Sequence, residues 1–362
     1  GEKTRVNGVD QSSLADSLKT NVKFFLQVAE SKYPALAAGK WVYKPEQGIK
    51  PSPAHLQCLD QEKQGNCHNA SAISDVKARA RRTELINLKK VLNSRGMLEA
   101  NDSWVWESQV EEYKVLPYNE EYPTVVRNLL QNRTIFLIGD SFHRQWSKAL
   151  TCELMNVAGF TSKEANRIVK YLKVFTSFPD KVAKEMQNAT SRDYLVVNFG
   201  HHFDEAKKGK KWRGMYTRFL EETFNNPKKS FGSIPRRHIF FRTTTVRHYH
   251  RRMGDFNTNS SKSGGTEPNN HAQWSMYGGN YAAQPDQNMI ALNVLTNRTL
   301  VNTSEIGILD TATLTLARAD ATFDGSHLCL PGPMEYWSRM LYYRIQKLQE
   351  LERLEQKQQQ KE

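Results

Sequence analysis

Residues 134–155 contain a strand, a tight turn and a helix in immediate succession, and no other stretch constrains the fold as strongly. Residues 135–138 (Ile-Phe-Leu-Ile) form a short apolar run with β-branched members, which is typical of a buried strand. Gly139 permits a sharp turn, and apolar residues recur at helical spacing over 142–155. The pattern predicts that Ser141 lies at the rim of a sheet, at the positive end of a helix dipole.

Three later apolar runs are also predicted to be strands, and helices are predicted between and after them. The strands are 193–199, 238–244 and 306–310, and the helices are 164–174, 181–187, 288–299 and 333–348. A Gln/Glu/Lys-rich helix, predicted to be solvated, continues from there to the end of the chain. Strands that alternate with helices predict an α/β fold with a mainly parallel sheet, whose sites lie at the carboxyl ends of the strands.

A second motif stands near the carboxyl end of the chain. Asp324 comes three residues before His327, in a loop bounded by glycine and proline. An aspartate can orient an imidazole and the imidazole can deprotonate a serine, in whatever order the three follow one another along the chain. Ser141, His327 and Asp324 are therefore predicted to form a catalytic triad with Ser141 as its nucleophile. The competing interpretation of Gly-Asp-Ser is a turn that only caps a helix.

Six short blocks of sequence carry a resemblance to a known family. They are 39–43 (GKWVY), 104–107 (WVWE), 139–152 (GDSFHRQWSKALTC), 197–202 (VNFGHH), 241–243 (FRT) and 324–332 (DGSHLCLPG). In the same order they resemble the GxWV, WRWxP, GDSxxRxxxxSLxC, FNTGHWW, FRT and DCSHWCLPG elements of the plant trichome-birefringence-like and PC-esterase proteins. These proteins are a branch of the SGNH/GDSL hydrolase superfamily, and the likeness covers most of the chain.

The resemblance implies a three-layer α/β sandwich of SGNH-hydrolase type, with a central, mainly parallel sheet and an N-terminal lobe. We predict the lobe at 1–130, packed on a catalytic domain at 131–345, and a charged helical tail at 346–362. The plant relatives acetylate cell-wall polysaccharides in the Golgi. The resemblance therefore implies an O-acetyltransferase that moves an acetyl group to a glycan hydroxyl through an acyl-enzyme. A carbohydrate esterase with the same triad and a catalytically silent glycan-binding protein are the alternatives.

The resemblance also suggests which groups surround the serine. In SGNH-type enzymes the serine N–H, a glycine N–H and an asparagine side chain form the oxyanion hole, which points to Ser141, Gly200 and Asn198. The order Asn-x-Gly-His differs from the fold's usual Gly-x-Asn-Asp, so the choice between Asn198 and Gly200 stays open. Five residues are predicted to contact substrate, with ion pairing or simple packing as the alternative role: Arg144, His201, Arg242, His248 and Trp274.

Cysteines and sequons together indicate the secretory pathway. The four cysteines allow three pairings, and the family resemblance implies Cys58–Cys152 and Cys67–Cys329, with a free, buried Cys152 as the alternative. The resemblance places the protein in the Golgi lumen, and secretion is the alternative. Seven asparagines are predicted to carry glycans: Asn69, Asn101, Asn132, Asn188, Asn259, Asn297 and Asn302.

Composition and charge narrow the classes of protein to which this chain can belong. A hydrophobic content of 38% with 16 Phe and 14 Tyr excludes a disordered chain. The formal charge of +13 suits an acidic glycan, whereas the basic segment 76–82 lacks interleaved aromatic residues and is not interpreted as nucleic-acid-binding. No apolar run is long enough to cross a membrane, and any anchor is expected outside this sequence, which starts without a methionine or signal peptide.

We predict no cofactor other than an acetyl donor as co-substrate, and no metal centre. His201 and His202 are adjacent, but no acidic residue or cysteine accompanies them at ligand spacing. They are therefore interpreted as residues that line the cleft.

Overall fold

The computed structural model describes residues 38–44, 52–60, 104–203, 208–225, 227–245, 286–296, 306–316, 327–328 and 330–360, together with Gln27 and Arg318. Within these residues the strands are β1 Lys40–Tyr43, β2 Trp104–Glu107, β3 Ile135–Gly139, β4 Val169–Lys173, β5 Tyr194–Val197, β6 Ile239–Arg242 and β7 Gly307–Leu309. The α-helices are α1 Pro53–Asp60, α2 Tyr122–Leu130, α3 Ser141–Asn156, α4 Ser162–Ile168, α5 Asp180–Met186, α6 Trp212–Asn225, α7 Pro227–Phe231, α8 Asp286–Thr296, α9 Thr311–Leu316 and α10 Pro333–Gln359.

Strands β3 to β7 form the central sheet, in the order β4-β3-β5-β6-β7. All four pairs of neighbouring strands run parallel. Every residue of β3, β5 and β6 is buried, as expected for parallel strands that are covered on both faces. The predicted α/β fold with a parallel central sheet is therefore confirmed, and its layers are compatible with a three-layer sandwich.

The direction of the chain through the sheet reverses at the edge strand β4. From β3 it moves outward to the edge strand β4, and then crosses to the other side of β3 to form β5, β6 and β7 in turn. Right-handed crossovers place the helices before and after this reversal on opposite faces. Accordingly α3 packs with α4, while α6 packs with α7 and α8. The topological switch point, where open α/β sheets bind ligands, therefore lies at the carboxyl ends of β3 and β5.

The helix predicted at 164–174 is wrong in its second half. A capping box between Thr161 and Glu164 begins α4, as the predicted helix requires, but α4 ends at Ile168. Residues 169–173 continue instead as β4, in register with β3 along its whole length. The segment contains Val and Tyr, which suit a strand, and pairing with β3 outweighs the helical spacing of its apolar residues.

The two tryptophan blocks near the amino end form one antiparallel pair, β1 with β2. Trp41 lies opposite Trp106, with the ring centroids 5.6 Å apart. The Trp41 indole N–H donates to the carbonyl of Leu314 at 2.9 Å, and its ring lies edge-on to Tyr336. The pair thereby joins the hydrophobic core of the sheet and of α10. The domain boundary at residue 130 stays a prediction.

Helix α10 confirms the predicted helix at 333–348 and extends it to Gln359. Leu348 and Leu351 are buried, and Glu352 accepts a hydrogen bond from His238 at 2.7 Å. The expected solvated extension therefore begins only at Gln356, because apolar residues in the turns before it pack on the body. Along the described ranges, no helix has the length and apolar character that a membrane span needs.

A disulfide joins Cys58 of α1 to Cys152 of α3, as the family resemblance implies. Cys67 and Cys329 lie outside the described residues. The bond fixes the amino-terminal part of the chain to the helix that begins with Ser141.

We expect the double substitution Cys58→Ser/Cys152→Ser to lower the free energy of unfolding by about 4 kcal/mol, because the bond closes a loop across 94 residues. Urea unfolding followed by circular dichroism measures this change. Cys58→Ser alone breaks the same bond, so the single and double variants should unfold at similar urea concentrations. An unchanged midpoint in both variants would contradict the prediction.

Candidate active site

Ser141 is the first residue of α3 and directly follows the turn that ends β3. Asp140 caps the helix, with Oδ1 accepting the N–H of Phe142 at 3.0 Å. The Asp140 carbonyl accepts the Tyr171 hydroxyl at 3.0 Å, which fixes the turn to the edge strand β4. Ser141 is half-buried, and its N–H belongs to the first turn, where amides have no carbonyl partner within the helix. Its hydroxyl therefore lies at the positive end of the dipole, as predicted.

His327 lies against this serine. The distance from Ser141 Oγ to His327 Nε2 is 2.9 Å, across 186 positions of sequence. For Nε2 to accept the serine proton, the imidazole must carry its own proton on Nδ1. Asp324, the residue predicted to accept that second proton, lies outside the described residues. The structure thus brings together two of the three residues of the predicted triad.

Two further residues of α3 hold the histidine in place. The Phe142 ring stacks on His327 with centroids 4.9 Å apart and on His201 with centroids 4.1 Å apart. Gln145 donates from Nε2 to the carbonyl of Leu328 at 2.6 Å and accepts its N–H at 3.3 Å. Both the N–H and the C=O of Leu328, the residue after His327, are therefore hydrogen-bonded to Gln145. Sequence reasoning did not select Phe142 or Gln145, although Gln145 comes one helical turn after Ser141 and so shares its face.

We expect Gln145→Leu to reduce kcat about tenfold or more while leaving KM nearly unchanged. The substitution nearly keeps the volume of the side chain but removes both hydrogen bonds from Gln145 to the buried backbone of Leu328, so His327 loses its fixed distance from Ser141. Steady-state kinetics on an activated acetyl ester measure both constants. Ser147→Ala is the matched control, because the Ser147 hydroxyl is exposed and donates to the carbonyl of Arg144 in its own helix. Equal kcat values in the two variants would contradict the prediction.

The groups predicted for the oxyanion hole are already engaged with one another. Asn198 Nδ2 donates to the Arg242 carbonyl at 2.7 Å and to Thr244 Oγ1 at 2.9 Å. Asn198 Oδ1 accepts the Gly200 N–H at 3.3 Å. Both amide hydrogens of Asn198 are thus used between β5 and the end of β6, and Asn198 is fully buried. Among the described residues, the Ser141 N–H is the one predicted donor for which no hydrogen bond is found. The assignment of Asn198 and Gly200 to the oxyanion hole stays a prediction.

Arg242 lies inside the core beneath the site. Its guanidinium is fully buried, 5.1 Å from the Trp337 ring centroid, and Nε donates to His143 Nε2 at 3.4 Å. Burial lowers the pKa of Arg242 to about 10, against the opposing effect of the Asp140 carboxylate, so the side chain is charged at neutral pH. This burial argues against the direct substrate contact predicted for Arg242 and favours a positioning role.

His143 differs from His327 in its surroundings and in its chemistry. Burial, and secondarily the charge of Arg242, hold the pKa of His143 well below its usual range. His143 is therefore neutral at physiological pH, and it is fully buried. Since its Nε2 accepts from Arg242, its proton is on Nδ1. Of these two histidines, only His327 has both the exposure and the contact with Ser141 that a general base requires.

The remaining predicted site residues are placed as follows. Arg144 lies three residues after Ser141 on α3 and is exposed. Its N–H donates to the Asp140 carbonyl. His201 is nearly buried, and its Nε2 lies 3.1 Å from Thr245 Oγ1. His248 and Trp274 lie outside the described residues. Within the part of the chain that the structure describes, no cluster of three or more metal-binding side chains is found.

Two of the seven predicted glycosylation sites fall within the described ranges. Asn132 follows α2 with a positive φ of 58°, and Asn188 lies beyond the end of α5. Both side chains are exposed, which the attachment of a glycan requires. The other five sequons lie outside the described residues.

The fold and the site define a mixed α/β protein with a parallel central sheet and a serine–histidine pair at its switch point. No protein-family model matches the chain. A comparison with curated proteins finds no match either. The resemblance to the trichome-birefringence-like and PC-esterase proteins therefore stays a prediction that rests on the six sequence blocks.

Proposed function

We propose that the protein transfers an acetyl group to a hydroxyl of a glycan, through an ester formed on Ser141. The observation that carries the proposal is the 2.9 Å contact between Ser141 Oγ and His327 Nε2, at the carboxyl edge of the parallel sheet. A serine hydroxyl is a weak nucleophile until an adjacent base accepts its proton. The position at the first turn of α3 adds a backbone N–H and a helix dipole that favour negative charge.

The proposed reaction has two halves that use the same pair of side chains. Ser141 Oγ attacks the carbonyl carbon of the acetyl donor while His327 Nε2 takes the serine proton. The tetrahedral intermediate collapses to acetyl-serine, and His327 gives the proton to the departing oxygen of the donor. A sugar hydroxyl then attacks acetyl-serine and passes its proton to His327, which returns it to Ser141 Oγ as the acetylated sugar leaves. Replacement of the sugar by water gives acetate, so hydrolysis is the competing outcome of the same chemistry.

The experiment that tests the proposal supplies an activated acetyl ester with and without a panel of oligosaccharides. Mass spectrometry follows acetyl-sugar and free acetate in parallel. Acetyl-sugar that forms at the expense of acetate supports the transferase and identifies the class of acceptor. Acetate release that is unaffected by sugar, together with deacetylation of acetylated glycans, would replace the proposal by a carbohydrate esterase.

A catalytically silent glycan-binding protein is separated from both enzymes by covalent labelling. A fluorophosphonate probe reacts with a serine whose hydroxyl is activated by a neighbouring base. We expect adduct formation on Ser141, located by peptide mass spectrometry, and its loss in His327→Ala. An unlabelled Ser141 in the native protein would support the silent alternative.

A further inference from the structure

The residues that follow β4 lie beside the turn that presents Ser141. Lys173, the last residue of β4, is in register with Gly139, the last residue of β3. Immediately beyond the two strands, the Val174 N–H donates to the Gly139 carbonyl at 2.9 Å. Residues 173–175 therefore line the carboxyl edge of the sheet next to the serine.

Phe175 is an aromatic side chain in an unusual position for this protein. Its exposed fraction is 36%, and among the described residues only Met215 is another large apolar side chain with comparable exposure. The Phe175 ring centroid lies 4.2 Å from that of His202, which follows β5. Because β3 lies between β4 and β5 in the sheet, this contact spans the end of β3, where Ser141 begins α3.

Two lysines lie close to Phe175, one against its ring and one against the next residue. The Lys173 ammonium lies 4.5 Å from the Phe175 centroid, and Lys208 Nζ reaches Thr176 Oγ1 at 3.4 Å. Neither lysine forms an ion pair with a carboxylate of the described residues, where other surface lysines such as Lys114 do. An exposed ring beside an ammonium group matches a ligand with an apolar face and a negative charge.

We propose that Lys173, Phe175 and His202 form a subsite for a carboxylate-bearing sugar of the acceptor glycan. The apolar C–H face of a pyranose ring stacks on Phe175. The carboxylate of a uronic acid forms an ion pair with the Lys173 ammonium, which then leaves the face of the aromatic ring. The His202 ring lies against Phe175 at the same edge of the sheet. This inference rests on the proposed function, since it names the class of sugar that is held next to the one acetylated at Ser141.

Binding to the Ser141→Ala protein tests the subsite without turnover. Isothermal titration compares tetragalacturonate and a hyaluronan tetrasaccharide with their methyl-esterified, uncharged counterparts. We expect at least one acidic oligosaccharide to bind about fivefold or more tightly than its ester, and that preference to shrink as salt rises. Phe175→Ala should weaken the binding of acid and ester alike, by up to about tenfold. Lys173→Gln should weaken only that of the acid.

Lys170→Gln is the matched control. Lys170 is exposed on the same strand, three residues before Lys173, and the substitution removes the same charge. Lys170→Gln should bind every oligosaccharide like the parent protein. The subsite is overturned if Phe175→Ala and Lys173→Gln also bind like the parent, or if no acidic oligosaccharide is preferred over its ester.

A separate measurement distinguishes a failure of the subsite proposal from a failure of the proposed function. Hydrolysis of a small activated acetyl ester by the protein with Ser141 intact reports on the catalytic pair alone. Binding that depends on Lys173 and Phe175 without any such hydrolysis would overturn the function and leave the subsite standing. Hydrolysis without this binding would overturn the subsite and leave the function standing.

Discussion

Ser141→Ala and His327→Ala should each lower kcat/KM for acetyl transfer at least about 1,000-fold while the protein stays folded. The serine supplies the atom that carries the acetyl group, and the histidine supplies the proton acceptor at 2.9 Å. Removal of either leaves only the helix amide and the binding of substrate to favour the reaction. Because the two act as one unit, the double variant should lose hardly more activity than Ser141→Ala alone.

The measurement is the initial rate of acetyl-sugar formation, normalised to folded protein by near-ultraviolet circular dichroism. Ser162→Ala provides a matched control, because Ser162 is also the first residue of a helix, α4, and is exposed, and no imidazole of the described residues contacts it. It should retain full activity. Substantial activity in Ser141→Ala, or additive losses in the double variant, would contradict the assigned pair.

Gly139→Ala should reduce stability by about 3 kcal/mol and abolish activity together. A Cβ atom at this position would stand 2.2 Å from His143 Nδ1 and 2.4 Å from the carbonyl oxygen of Asn198. Both groups are buried, and the second belongs to the backbone of the neighbouring chain segment, so neither can move aside cheaply. Relief of the clash would displace the turn between β3 and α3, and Ser141 with it.

Gly214→Ala gives the contrasting result in the same chain. Gly214 is exposed on α6, and apart from the backbone of its own helix a Cβ atom there would meet no described heavy atom within 4 Å. Replacement of a helical glycine by alanine should raise stability by about 0.5 kcal/mol and leave activity unchanged. Thermal and urea unfolding of the two variants measure the difference. Equal stability of Gly139→Ala and the native protein would contradict the close approach of β3, β5 and α3.

The sequence was sufficient for features that depend on local pattern. The run before Gly139 and the helical spacing after it predicted β3 and α3 nearly to the residue, because one short segment contains both signals. The pairing of Ser141 with His327 was predictable from chemistry, since few residue types can activate a serine. The confirmed bond between Cys58 and Cys152 came from the family resemblance, because spacing alone allowed three pairings.

Features that depend on contacts between distant segments could not be predicted in the same way. The side-chain amide of Asn198 donates to Arg242 and Thr244, more than 40 residues away along the chain. No local sequence pattern predicts those partners. Residues 169–173 satisfy helical spacing but become β4, because β3 offers a free edge for pairing. Periodicity reports which face of a segment is apolar, whereas hydrogen-bond partners follow from the register of the whole sheet.

The separation of 186 positions between Ser141 and His327 has a consequence for the time at which activity first appears. Parallel strands and distant contacts form slowly, because the chain must close long loops before the contacts can stabilise it. His327 also follows β7 along the chain, so a ribosome releases Ser141 long before its base. Recovery of activity should therefore lag behind recovery of secondary structure during refolding, because Ser141 becomes an activated nucleophile only after His327 has docked beside it.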